Sequence, residues 1–335
     1  VPMDSFEQMG DVADNVVKQV DVKRTHFDEV EWDGKQITKP GIYNGVPIEK
    51  YHHDTELFDR WSISSSGLKV LCKRPSEYWA YSPYNEHRFE KGTKPAFMFG
   101  KAAHMLLLGE MGFAEHYVKR LEEAPDGRAW NGNNKSCKEW LQQQEDAGKT
   151  VITQDQLETI QYMAESLDRC KAVQAGVLNG KIERSMIGHF GSIALRSRPD
   201  VIPMHGGDFT DLKTAAAVDH DSLMKAIFNT GLHIQAAIVR MVANEVMPAG
   251  FEFGEFTYLF IEKEPPFDVS VKVLKPTDID LGERQVLAGL STLERCISKN
   301  RGPGVDGWDE VPTFIEMPGW ARTRIDTELN MESQQ

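Results

Sequence analysis

The sequence predicts a mixed α/β domain whose central sheet is covered by helices on both faces. Three observations predict it. Residues 193–202 and 208–214 read as two strands joined by the turn chemistry of Pro203-Met204-His205-Gly206-Gly207. Helical periodicity flanks that pair, over 154–170 before it and 232–246 after it. Two further strands, 256–261 and 269–274, lead into a closing helix at 278–298, an order that suits a sheet sandwiched between helices.

Taken in order, residues 1–45 form a polar arm, charged and punctuated by Asp33-Gly34 and Lys39-Pro40-Gly41, so partial order at best is expected there. One domain is expected over 46–325, with a tail at 326–335. Ser64-Ser65-Ser66 ahead of Gly67-Leu68-Lys69-Val70-Leu71 places a helix start near Ser65; its hydroxyls suit either capping or holding an anion. Lys69, Lys73 and Arg74 add positive charge beside it. Residues 97–111 form a mostly apolar helix, with His104 near its middle and Gly100, Ala102 and Ala103 allowing close approach of another element. A histidine there is either a satisfied core group or a ligand.

A loop-rich insert at 120–150 holds one helix around 135–145. Thr153 caps the amphipathic helix 154–170, which puts Leu157, Ile160, Met163, Ala164 and Leu167 on one side. A strand at 182–187, Glu183 included, precedes the central pair. Beyond the pair, Asp219-His220-Asp221 opens a helix that is interrupted at Asn229-Thr230-Gly231 and resumes over 232–246, with Gln235 and Arg240 as conspicuous polar members. Gly302-Pro303-Gly304, Trp308 and Trp320 suggest an aromatic C-terminal wrap.

Composition narrows the class. Forty per cent hydrophobic and 27% charged residues over 335 positions are enough for a full core. The longest apolar runs, such as 105–108, are far too short to cross a bilayer, and no signal segment opens the chain, so a cytoplasmic location is expected. Cys72, Cys137, Cys170 and Cys296 are scattered without a C-x-x-C pair, against a disulfide framework or a zinc module. With 51 acidic against 38 basic residues (net charge -13), nucleic-acid binding would require basic groups gathered locally.

The central pair carries the chemistry. A turn centred between His205 and Gly206 opposes Asp200 with Asp211. Two carboxylates about 5 Å apart repel by about 3 kcal/mol at an effective dielectric near 20, which calls for a shared proton or a cation. Lys213 shares a face with Asp211 because side chains alternate along a strand. Two acids and a lysine suit a magnesium ion that keeps water and accepts a substrate phosphate. The plainer alternative is a turn acid beside a solvated Asp211–Lys213 ion pair.

The motifs in order are Ser64-Ser65-Ser66-x-Leu68-Lys69 with Pro75 and Tyr78, Gly100-Lys101-Ala102-Ala103-His104, Glu183, Arg198-Pro199-Asp200, Asp211-Leu212-Lys213-Thr214 and Gln235. In this order the chain resembles the PD-(D/E)XK nuclease superfamily, and within it the exodeoxyribonuclease VIII (RecE-like) group of phage and prophage recombination exonucleases. The likeness runs from about Tyr51 to Ala321. It implies a restriction-endonuclease-like core, a central mixed sheet flanked by helices, with helical N-terminal additions. It further implies that His104, Asp200, Asp211 and the Leu212 backbone carbonyl bind one or two Mg2+ ions, with Mn2+ as a substitute. Lys213 would serve the attacking water and the scissile phosphate, Glu183 the metal site and Gln235 the organisation of the site or the DNA backbone.

Ser64, Ser65 and Ser66 would lie near DNA phosphate, with Lys69, Lys73, Arg74, Arg196 and Arg198 lining a channel. The relatives' usual aromatic four residues after the glutamine is Val239 here. The activity so implied is 5′-to-3′ digestion of linear double-stranded DNA in a bacterial host, leaving 3′ overhangs for annealing-type recombination. A ring-shaped homo-oligomer and a single-strand annealing protein are the implied partners. An endonuclease or a catalytically inactive DNA-binding module of the same fold are alternatives; an iron–sulfur relative is disfavoured because only Cys296 lies late.

Overall fold

The computed structural model describes residues 27–90, 92, 95–109, 113–204, 206–299, 302 and 315–332. The N-terminal part comprises β1 (Glu29–Glu31), β2 (Gly41–Asn44), α1 (Ile48–His53), β3 (Trp61–Ser64), α2 (Ser65–Lys73), α3 (Pro75–Tyr81) and α4 (Pro95–Leu107). The insert follows as α5 (Phe113–His116), β4 (Tyr117–Lys119), α6 (Lys135–Asp146) and β5 (Thr150–Ile152), then α7 (Gln154–Asp168) and α8 (Lys171–Gln174). The centre is β6 (Gly180–Ile182), β7 (Ser185–Phe190), β8 (Ile193–Ser197), β9 (Val201–Pro203), β10 (Phe209–Ala215), α9 (His220–Thr230) and α10 (Leu232–Val246). The chain closes with β11 (Phe256–Glu262), β12 (Val269–Val273), α11 (Pro276–Ser298) and α12 (Gly319–Glu332).

The expected mixed α/β core is what the chain adopts. Its strands form two five-stranded sheets, ordered β1-β2-β7-β8-β3 and β12-β11-β10-β9-β6. Strands β10 and β11 are parallel and pair Asp211 with Tyr258 and Lys213 with Phe260, while β9 runs antiparallel to both β10 and β6. Parallel strands are normally buried on both faces. Phe209, Phe256, Tyr258 and Phe260 accordingly pack in one cluster with α10 and α11, and Leu212, Leu259 and Ile261 in another with α4 and α7.

Helix α10 is the centre of the first cluster. Nine of its residues are buried, Ile234, Ile238, Val239 and Val242 among them, so it is apolar nearly all round, as a helix enclosed by neighbours must be. Each fully buried Ile or Val stabilises the fold by about 1.5–3 kcal/mol. The Tyr258 phenol donates to the Leu232 carbonyl at 2.7 Å, which ties the first turn of α10 to β11. Gly231, at φ 67°, separates α9 from α10 in the left-handed conformation that glycine adopts without steric cost. The expected caps form: Ser64 accepts from the Gly67 amide, Thr153 makes a capping box with Gln156, and Asp219 accepts from the Ser222 amide.

Several expectations need correction. The single strand expected over 193–202 is two strands in different sheets, β8 and β9, with Arg198, Pro199 and Asp200 at the crossing. The strand expected over 182–187 likewise breaks at Glu183, whose φ of 55° ends β6 and lets β7 join the other sheet. Residues 29–31 and 41–44, assigned to the polar arm, are strands of the first sheet; residues 1–26 lie outside the described residues. Trp320 is exposed rather than wrapped onto the core, and α12 continues past residue 325. The turn centre at His205 and the segment with Pro303, Gly304 and Trp308 lie outside the described residues. Among the described residues no single helix is long and apolar enough to cross a membrane; α9 and α10 pass that test only as a pair bent by 61°.

Candidate metal centre and active site

Both sheet-crossing points meet at one place. Extending the register Ile182↔Val201 by one residue brings Glu183 opposite Asp200, and extending Val201↔Thr210 by one brings Asp211 opposite Asp200 from the other side. The Glu183 amide donates to the Asp200 carbonyl at 3.2 Å, continuing the ladder through the crossing. Asp200 therefore stands between two other acids on neighbouring segments. The Asp200–Asp211 opposition expected from the turn holds although the strand around Asp200 is divided.

Helix α4 brings His104 over this point; its Ala102 and Ala103 are buried, and a Cβ on Gly100 would meet Thr214 Oγ1 at 3.6 Å. His104 Nε2 lies 2.8 Å from Asp200 Oδ2 and Nδ1 lies 3.4 Å from Glu183 Oε1. The Leu212 amide donates to the same Asp200 Oδ2 at 2.6 Å. Lys213 Nζ contacts Asp211 Oδ2 and lies 3.9 Å from Asp200 Oδ2. Gln235, on the first turn of α10, donates from Nε2 to Asp211 Oδ2 at 2.9 Å, and Lys69 donates to its Oε1 at 3.2 Å.

The electrostatics follow from burial and from this crowding. Burial alone would raise the Asp200 pKa, but the charges of His104 and Lys213 outweigh it and hold the carboxyl well below the usual range. For Asp211 burial and the Asp200 charge act together, and its pKa is pushed up to about 7 against the pull of Lys213. Burial opposes the His104 imidazolium, yet Asp200 more than offsets it and the pKa rises to about 9. Lys213 is half-buried, and the two aspartates outweigh that desolvation to hold its pKa above the usual lysine value. Burial beside the Asp200 charge thus favours the protonated form of Asp211, and a further cation facing it would favour the ionised form.

A divalent cation fits these residues. One ligand atom from each of His104, Glu183 and Asp200 lies within 4.8 Å of the others, the one such group among the described residues. Asp211 is fully buried, and its Oδ1 has no hydrogen-bond partner among the described residues. A buried carboxylate oxygen without a donor is costly unless something positive faces it.

The remaining expected site residues divide. Arg198 is not a free channel cation: its Nε donates to Glu183 Oε2 at 2.9 Å and its Nη1 to the Val46 carbonyl at 3.1 Å. Arg196 is 4% exposed and sits over the rings of Tyr51 and Phe58, at 5.1 and 5.4 Å, so it does not line a surface. Lys73 donates to the Asn229 carbonyl, and Arg74 pairs with Glu77 on the exposed side. Ser64 caps α2 and lies 3.0 Å from the Ser66 hydroxyl, whereas the Ser65 hydroxyl is buried without a partner among the described residues. Val239 is buried in α10, away from any polar role.

Two relationships escaped the sequence reading. The hold of Arg198 on Glu183 could have been found by pairing 180–182 with 201–203, since that register brings both beside Asp200. The Lys69–Gln235 bond had no local signal, because it joins two helices far apart in the chain.

Comparisons with known proteins agree with this fold. Residues 64–308 match the model of a family described as "PDDEXK-like domain of unknown function (DUF3799)". A search of curated proteins finds no match. Among solved structures, the chain is similar to the crystal structure of a "putative exonuclease" from Eubacterium rectale, with a TM-score of 0.54 and 12% identity. That match covers 84% of this chain and 98% of the other, and at this identity it speaks for the fold.

Proposed function

This chain belongs to the PDDEXK-like family of unknown function DUF3799, and from that premise we propose that it is a divalent-metal-dependent deoxyribonuclease. The observation that carries the reading is Asp200 set between Glu183 and Asp211, with His104 at 2.8 Å and a donor-free Asp211 Oδ1 beside Lys213. His104, Glu183, Asp200 and Asp211 would hold the ion, with the Leu212 carbonyl as a further ligand. A Mg2+ or Mn2+ ion bound there supplies Lewis acidity, lowering the pKa of water and offsetting phosphate charge.

The chain's own groups do the rest. Lys213, held protonated by its two aspartates, donates to the attacking water or to a non-bridging phosphate oxygen as negative charge builds. Leu212 fixes Asp200 through its amide, and Arg198 fixes Glu183. Gln235 orients Asp211.

The finer reading is 5′-to-3′ digestion of linear duplex DNA, leaving 3′ overhangs for annealing-type recombination. It rests on the order of motifs from Ser64 to Gln235. A ring of copies and a single-strand annealing partner have the same support. The buried position of Arg196 and the pairing of Arg198 leave Lys69, Lys73, Arg74 and the serines to be tested against phosphate.

The test is digestion of linear duplex labelled separately at its 5′ and 3′ ends, with Mg2+ and then EDTA. The expected result is release of the 5′ label first, faster from a phosphorylated end, and no release with EDTA or with Asp211→Ala. Activity that survives both the chelator and the substitution would overturn the metal mechanism. Release of the 3′ label first would overturn the polarity, and equal cutting of closed circles would identify an endonuclease. Binding of DNA with no cleavage under any condition would identify a binding module.

A further inference from the structure

The geometry points to Lys69 as a positioning residue that keeps one oxygen of Asp211 available to a metal ion, by fixing which way the Gln235 amide faces. The inference rests on the metal-centre reading above. An amide fits its site almost equally well in two orientations related by a flip, and its neighbours decide between them. Lys69 carries only donors and lies 3.2 Å from Oε1; the ionised Asp211 that a metal ion would bind offers only acceptors, and its Oδ2 lies 2.9 Å from Nε2. A flipped amide would set its NH2 group against an ammonium and its carbonyl against a carboxylate, two repulsive contacts in place of two bonds.

The consequence falls on Asp211. With the amide held this way, Gln235 and Lys213 both engage Oδ2, and Oδ1 is left without a donor. Were the amide free to turn, Asp211 would lose one of the two donors that hold its plane. Lys69 is built into the fold for this rather than displayed on it. It is half-buried, and its stem packs so closely on the bend between α9 and α10 that a Cβ on Gly231 would lie 3.1 Å from its Cδ. Burial, with the nearby Lys213 charge, brings its pKa down to about 8, as expected of an ammonium withdrawn from water.

The test is Mn2+ binding to the full chain without DNA, followed by the electron paramagnetic resonance of free Mn2+, for wild type, Lys69→Met, Lys69→Arg, Gln235→Met and the double variant. Groups that orient a ligand typically contribute 10–100-fold to metal affinity, so Lys69→Met is expected to weaken Mn2+ about tenfold. Lys69→Arg, which also donates to Oε1, is expected to stay within about threefold of wild type. In the Gln235→Met background Lys69→Met should add less than about twofold, because the group it acts through is gone. Should Lys69→Met fail to fold, Lys69→Leu, which likewise has no donor, carries the same comparison.

Unchanged Mn2+ affinity in Lys69→Met, or the same loss with and without Gln235, overturns the inference. If DNA binding weakens instead and its salt slope falls by about one, Lys69 is a phosphate contact. The expected Mn2+ pattern in a wild type that cleaves no DNA would uphold Lys69 and sink the nuclease reading alone. A wild type that binds no Mn2+ overturns both.

Discussion

His104 Nε2 lies 2.8 Å from Asp200 Oδ2, so an imidazole from a helix packed on one face of the sheet meets a carboxylate at the point where the chain changes sheets. Asp200 Oδ2 also takes the Leu212 amide and lies 3.9 Å from Lys213 Nζ. One oxygen thus collects three positive or donor groups.

Replacing Asp200 should therefore do more than remove a charge. Asp200→Asn is expected to lower Mn2+ affinity and the rate of DNA hydrolysis by at least about a hundredfold, the upper end of what losing a mere supporting group costs. Metal titration and single-turnover cleavage of a labelled duplex check it. Retention of both within about threefold would remove Asp200 from the centre.

The pH dependence of stability in EDTA has a definite sign. His104 titrates near 9 in the folded chain against an ordinary 6.5, so its stabilising contribution is complete below about pH 6.5 and is lost as pH rises through about 9. Asp211, raised to about 7 from 3.8, acts the same way lower down, since ionising it beside Asp200 is unfavourable. Calorimetry in EDTA should show a lower melting temperature at pH 9 than at pH 6.5, with the difference reduced in His104→Gln. Mn2+ should bind more tightly over the same rise, because the ion displaces those protons.

Glu183 occupies the left-handed region at φ 55°, where a side chain costs about 1–2 kcal/mol relative to the right-handed form. Glu183→Gly should therefore be more stable than Glu183→Ala, by about 1 kcal/mol in urea unfolding, while both weaken Mn2+ binding equally. Equal stability of the two would mean that the backbone relaxes at this position.

Arg198 distinguishes two roles cleanly. As the group that orients Glu183, it should cost about tenfold or more in Mn2+ affinity when changed to Ala, with the salt slope of DNA binding unchanged. A weaker salt slope with intact metal binding would return it to the DNA-facing set.

Much of this was legible in the sequence. Periodicity and caps located α2, α7, α9 and α10 within a residue or two, because Ser64, Thr153, Asp219 and Gly231 signal helix ends through local hydrogen bonding and backbone freedom. Alternation placed Asp211 and Lys213 on one face of β10. What could not be read was where both strands leave a sheet. Pro199 does mark the second break, since proline interrupts a strand ladder, whereas the turn at Glu183, a non-glycine residue at φ 55°, has no local composition that marks it. Arg196 and Arg198 looked like surface cations for a related reason. A strand sequence shows which residues share a face but not whether aromatic rings or a carboxylate cover it. The short strands at 29–31 and 41–44 depend wholly on pairing with β7 and with each other.

The change of sheet at Glu183 and again at Asp200 has a mechanical consequence. These two carboxylates ride on the seam, while Asp211 and Lys213 belong to one side of it, so hinge-like rotation between the sheets would alter the spacing of the acids. A cation gripped from both sides would act as a rivet across that seam, tying the readiness of the centre to the stiffness of the whole domain.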